Sequence, residues 1–149
     1  MIQHKLLGAS LFALLSLFIS SELFAQADVI EKRQALMKSN SAATKAIKGA
    51  VEAKDYATIE TKAKDIMGNA DKIVDAFPKG STQGKTKATD AIWDKSDDFA
   101  KNAKNLRKAA SELADAAKAI DAGIDVKVKG VSDACGGCHK AFRAEKYSE

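Results

Sequence analysis

Tyr56, Ile59, Ala63, Ile66, Ala70, Ile73 and Phe77 follow one another at alternating steps of three and four residues. That spacing puts every apolar side chain on one face of an α-helix, and the face must be buried against another element. The same steps recur at Phe99, Ala103, Leu106, Ala110, Leu113, Ala117 and Ile120, and again at Val128, Val131, Cys135, Cys138 and Phe142. A fourth stretch carries Val29, Leu36, Ala43 and Ala50 seven residues apart, with Met37, Ile47 and Val51 beside them. No run of alternating β-branched residues lies between turn signals, so no strand is expected.

Punctuation between the stripes sets their limits. The first helix is expected from Asp28, as N-cap, to about Lys54, and the second from about Asp55 to Phe77. Pro78 ends it by pushing the preceding residue out of the helical region. Residues 78–87 are rich in Gly, Ser, Thr and Lys, lack an apolar period and read as the one long connector. The third helix stops at Gly123, and Asp125 caps a fourth. Two short links and one longer one between four amphipathic helices predict an all-α, antiparallel four-helix bundle, a fold that builds cofactor sites from facing helices. The many alanines on the stripes imply close helix approach and a thin core that a large apolar cofactor would fill.

Both cysteines of the chain lie in Cys135-Gly136-Gly137-Cys138-His139, on the apolar stripe of the C-terminal helix. CxxCH is the attachment pattern of c-type haem: two thiols bond the vinyl groups and the following imidazole takes the iron. Positions i, i+3 and i+4 share one side of a helix and can grip one edge of a flat macrocycle. A short CxxC also occurs as a redox dithiol, a zinc half-site or a structural disulfide. Zinc wants four ligands where this cluster offers three. A thioredoxin-like dithiol belongs at a helix start just after a strand, not deep inside a helix of a strandless chain. Gly136 and Gly137 each cost on the order of 1 kcal/mol in a helix interior, and close passage of a porphyrin edge would explain them. The motif is read as binding one haem c per chain.

The N-terminus indicates the compartment. Lys5 precedes an apolar run from Leu6 to Ile19, followed by Ala25-Gln26-Ala27, a small-x-small cleavage pattern. This reads as a secretory signal peptide over residues 1–27, cut after Ala27 or, as second choice, Ala25. The run is short of the roughly 20 residues a membrane span needs, so no membrane association is expected after processing. Removing 27 of 149 residues leaves 122, a single domain over residues 28–149, and takes away His4 so that His139 is the remaining histidine. The expected location is the periplasm.

With the bundle and the C-terminal CxxCH in place, the chain resembles the cytochrome c prime family, in particular its low-spin, Met-ligated members. The resemblance includes Arg33-Gln34-x-x-Met37-Lys38, Phe77-Pro78, Ile92-Trp93 with Phe99, and Cys135 to His139 continuing as Phe142-Arg143. It implies a haem within the bundle, with His139 on one iron face and Met37 of the first helix on the other. Met67 is not at the favoured position. Met37 as ligand implies a six-coordinate electron carrier; Met37 as mere cover implies an open, five-coordinate iron that binds NO or CO. Neither makes the chain an enzyme. The resemblance also offers Arg33 as a partner of a haem propionate, Trp93 as haem wall and Arg143 as a modulator of His139. Relatives include dimers, and monomer and homodimer both stay open here.

Formal charge is +4, and the C-terminal helix, with Lys127, Lys129, Lys140, Arg143 and Lys146, looks the most basic. A basic collar near a haem edge would suit an acidic redox partner protein. Nucleic acid is not expected, because no basic segment is interleaved with stacking aromatics.

Overall fold

The computed structural model describes residues 7–82 and 84–146, with the backbone alone for residues 7–26. Helices run α1 Leu7–Ala53, α2 Tyr56–Ala70, α3 Ala91–Asp94, α4 Ser96–Lys118 and α5 Ile124–Phe142. α3 is a single turn, and α1, α2, α4 and α5 are the four helices of the bundle. No strand occurs among the described residues, only an isolated bridge between Ala88 and Arg143.

Asp28 does not cap a helix as expected. α1 passes through it without interruption, and its carboxylate pairs with Lys32 at 2.6 Å. The stretch holds no proline, so nothing forces a break there. The apolar run Leu6–Ile19 and Ala25 lie outside the residues whose side chains are described, while Ala27 is exposed. Among the described residues no helix is long and apolar enough to cross a membrane.

α2 ends at Ala70, well short of Phe77. Gly68 and Asn69 weaken its last turn, and the chain continues in tighter turns, Ile73 N–H to Ala70 O at 3.2 Å and Phe77 N–H to Val74 O at 3.1 Å. The Arg107 Nε to Asp71 pair at 2.8 Å ties this segment to α4. The apolar face survives the change of winding: Ile73 is buried, and Phe77 packs on the core.

α1 and α4 end alike. Lys54 (φ 54°) and Ile120 (φ 53°) are left-handed, and the next amide returns to a carbonyl of the last turn, Asp55 to Ala50 at 2.8 Å and Asp121 to Ala116 at 3.0 Å. These are Schellman closures, which spare the last carbonyls from going unpaired. Asp55 then caps α2 by accepting from the Thr58 amide at 3.0 Å and hydroxyl at 2.6 Å, and these bonds hold its carboxyl below the usual range. At the α4 end the stop is therefore Ile120, while Gly123 serves as the N-cap of α5 and Asp125 lies in its first turn.

α2 packs between α1 and α4, α4 also packs on α5, and α5 touches α1 only lightly. Ile47, Ile59, Ile66, Leu113 and Val131 fill the dry part of the core, with Ala63 and Ala110 fully buried where α2 and α4 approach. At the other end Phe77, Phe99 and Phe142 stack edge to face, with centroids 5.1 and 5.2 Å apart. The α1/α5 seam between these regions is left open.

Ile120 is 65% exposed in a conformation that costs a β-branched residue roughly 1–2 kcal/mol. Ile120→Gly is expected to raise the unfolding free energy by about 1 kcal/mol in urea denaturation; an unchanged or lower value would show that the Ile120 side chain contributes packing that offsets the strain.

Candidate functional site

A cavity of about 770 Å³ occupies the α1/α5 seam. Its volume falls in the range of about 300–1,000 Å³ typical of ligand pockets. α1 contributes Met37, Asn40 and Thr44, α4 contributes Phe99, Ala103 and Leu106, and α5 contributes Cys135, Cys138, His139 and Phe142. Ile73, Phe77 and Ile92 close the inner end. Both cysteines, the histidine and Met37 thus share one space, with Met37 on α1 and the motif on α5. Met67 is not among the lining residues.

The cysteines are half-buried, free and unbridged. Burial pushes both thiols up, and Cys135 raises Cys138 further. A redox dithiol is tuned the other way, toward the thiolate. Among the described residues no three His, Cys, Asp or Glu side chains converge to hold a metal ion. His139 is held below its ordinary value, first by burial and then by the charge of Arg143. Its imidazole is therefore neutral at pH 7, with a lone pair available to a metal.

Arg143 ends α5, is exposed and lines the cavity, so its expected influence on His139 has a geometric basis. Trp93 does not line the cavity. Its indole N–H donates to the Phe77 carbonyl at 3.0 Å, which makes it a cover over the turn before the connector. Gly136 and Gly137 are exposed and do not line the cavity. Residues one and two positions after Cys135 point away from the face that Cys135 and Cys138 share.

Arg33 is buried to 2% exposure, so it is not a surface ion pair. It donates to Ser81 Oγ at 2.8 Å, Ser81 O at 2.7 Å and Thr86 Oγ1 at 2.7 Å, and lies 5.0 Å from the Phe77 ring centroid. Every one of these partners is neutral. Desolvation lowers its pKa, yet a guanidinium stays charged. A buried cation without a carboxylate, facing a cavity, is matched by an anionic group within that cavity. The connector is accordingly not loose: Ser81 and Thr86 are buried beneath α1, and the Gln34 amide donates to Lys85 O at 2.9 Å. Gly84, at φ 105°, turns the chain beside Ile30.

Asn40 was given no role of its own from the sequence. It is buried, lines the cavity one turn from Met37, and accepts from Asn69 Nδ2 at 2.9 Å through its side-chain oxygen. Its signal was a polar residue on an otherwise apolar inner face, next to Ala43 and Ile47. Ser81 and Thr86 gave no signal, because they lie in an aperiodic segment.

A haem c fits this donor set: paired thiols and a neutral imidazole on one helix, apolar and aromatic walls, a thioether opposite and a buried guanidinium suited to a propionate. The family described as Cytochrome C′ matches residues 28–143. The chain is 31% identical over 120 residues to cytochrome c-556 of Agrobacterium tumefaciens, spanning 78% of this chain and 98% of the relative. It is 37% identical over 130 residues to cytochrome c′ of Rhodopseudomonas palustris, spanning 82% and 86%. Among solved structures, cytochrome c′ of Thermochromatium tepidum superposes with a TM-score of 0.74 at 25% identity, covering 80% of this chain and 97% of that one.

Two outcomes check the site. Arg33→Met should lower stability by about 2 kcal/mol or more, since it removes three buried hydrogen bonds to Ser81 and Thr86, and should speed protease cleavage between residues 79 and 87; an unchanged cleavage rate would refute the anchoring role. In the chain before haem attachment, the raised thiol pKa values mean less thiolate than free cysteine at any pH below about 9. Alkylation by iodoacetamide should be slower than for free cysteine at pH 7 and should climb at higher pH; faster reaction at pH 7 would mean an activated dithiol.

Proposed function

The chain belongs to the cytochrome c′ family, whose members carry covalently bound haem c, and we propose that it is a periplasmic electron carrier in which His139 and Met37 bind the haem iron from opposite sides. The observation that carries this reading is the shared cavity, with Cys135, Cys138 and His139 on the α5 wall and Met37 on the α1 wall. Bound haem supplies an iron that changes oxidation state by one electron.

The residues do the rest. Cys135 and Cys138 present protonated thiols at the spacing needed to add across two vinyl groups, each sulfur to carbon and each hydrogen to the neighbouring carbon. His139, neutral at pH 7, offers a nitrogen ligand, and Met37 a soft thioether whose pairing with histidine favours a high potential. Arg33, already fixed to the connector, would hold a propionate. Phe77, Phe99 and Phe142 exclude water from the inner end and hold α5 against α4. In this reading the chain acts by holding its cofactor rather than as an enzyme. The family match beginning at residue 28 supports removal of residues 1–27 as a signal peptide, leaving residues 28–149 as the haem domain.

A second reading, with the iron face open to NO or CO and only covered by Met37, draws support from relatives that bear the name cytochrome c′. Spectra of the holoprotein separate the two. Low-spin ferric and ferrous spectra with slow CO uptake are expected. Met37→Ala should turn the spectrum high-spin, open the ferrous form to CO and shift the potential on the order of 100 mV, within the roughly 0.8 V that axial ligands command. A wild-type protein that is already high-spin and takes up CO rapidly would replace the first reading with the second. Cys135→Ala combined with Cys138→Ala should abolish haem retention under denaturing conditions; retention would refute the attachment.

A further inference from the structure

Six ionisable side chains besides His139 and the thiols line the cavity: Arg33, Lys38, Lys45, Lys48, Lys87 and Arg143. All are cationic, and among the described residues no Asp or Glu lines it. This sign bias does not follow from composition, because the chain has 24 Lys and Arg against 20 Asp and Glu. The six positive charges exceed the net charge of +4 for the whole chain, so the remainder of the molecule is net acidic. The molecule is electrically polarised, with its positive pole at the cavity.

Arg33 is buried, which leaves the other five near the mouth. Lys38, Lys45 and Lys48 are exposed along one side of α1, a row of about 15 Å at 1.5 Å per residue. None of the three has a carboxylate within ion-pair reach. Arg143 stands across the mouth at the end of α5, and Lys87 beside it donates to Glu145 O at 2.6 Å. Some lysines elsewhere are offset: Lys127 pairs with Glu112 at 3.0 Å, Lys129 with Asp133 at 2.6 Å and Lys62 with Asp65 at 2.8 Å. The basic end expected on the C-terminal helix is thus partly neutralised, whereas the α1 row beside the cavity is not.

We propose that this mouth, with Lys38, Lys45 and Lys48 as its α1 rim, is the docking face for an acidic surface of a redox partner protein. The proposal rests on the electron-carrier reading. A rim of one sign around the opening of the cofactor cavity raises the encounter rate with an opposite surface and orients it, so that the partner arrives where the path to the cofactor is shortest. Two propionates within the cavity would offset two of the six charges, Arg33 being the one directed inward, and the exposed rim would stay positive.

The test uses the holoprotein and flavodoxin, an acidic one-electron donor, in stopped-flow reduction at low and high ionic strength. Lys38→Glu, Lys45→Glu and Lys48→Glu combined should slow reduction at least tenfold at low salt, with the difference shrinking at high salt. The matching Gln variant should fall between, and Lys101→Glu, Lys104→Glu and Lys118→Glu combined, an equal charge change away from the cavity, should lose far less. The cationic oxidant tris(phenanthroline)cobalt(III) should react faster with the rim variant than with wild type. Equal slowing in rim and control variants would overturn the proposal, as would a slowing explained by a changed reduction potential, which would assign the lysines to the cofactor itself. Retained flavodoxin kinetics with lost binding to anionic phosphatidylglycerol vesicles would assign the face to a membrane and overturn it too. Failure of the electron-carrier reading would show separately, as a high-spin, CO-binding wild-type spectrum.

Discussion

Burial of the Arg33 guanidinium is the contact on which the cavity end of the bundle depends. It is made by one residue of α1, and it orders a connector that has no apolar period of its own by bonding Ser81 twice and Thr86 once. The ordered connector holds Phe77 in the aromatic row with Phe99 and Phe142, and that row sets the inner wall of the cavity. A cation this deeply buried among neutral partners is costly unless an anion completes it. The same side chain therefore explains the position of the loop and demands the kind of group that the cavity accepts.

The bundle is asymmetric for a physical reason. Alanines let α2 approach α4 closely, and aliphatic side chains fill that half, while α5 leans on α4 and leaves α1 at a distance. In a family that carries haem c, the missing side-chain volume belongs to the cofactor. The environment of the reactive groups agrees with attachment rather than exchange. Half-burial keeps the thiols protonated, and partial desolvation with the charge of Arg143 favours a neutral His139 although that residue is exposed; these are the states in which sulfur can be capped and nitrogen can take a metal.

Much of this was legible beforehand. The three-four steps located the apolar faces of α2, α4 and α5 and the seven-residue spacing that of α1, and the CxxCH pattern put its three functional groups on the right helix. Helix ends were less legible. The α2 stripe extends to Phe77, but periodicity records which side faces the core, not how tightly the backbone winds, so the end at Ala70 was invisible. At the α4 end glycine was the expected stop, yet a β-branched Ile120 took the left-handed position. Trp93 was offered as haem wall by the family resemblance and the two motif glycines by their place in the motif, yet none of the three lines the cavity.

Local chemistry along the chain determined that there would be four amphipathic helices and that two thiols and an imidazole would share a helix face, because both follow from the 3.6-residue repeat acting within one helix. Tertiary structure decided what those helices enclose. That Met37 faces the motif across a cavity, that Arg33 is buried without a carboxylate, and that Lys38, Lys45 and Lys48 rim the opening while Lys127 and Lys129 are neutralised all depend on distances between helices. Charge and volume at a site are sums over several elements, and no single helix contains them.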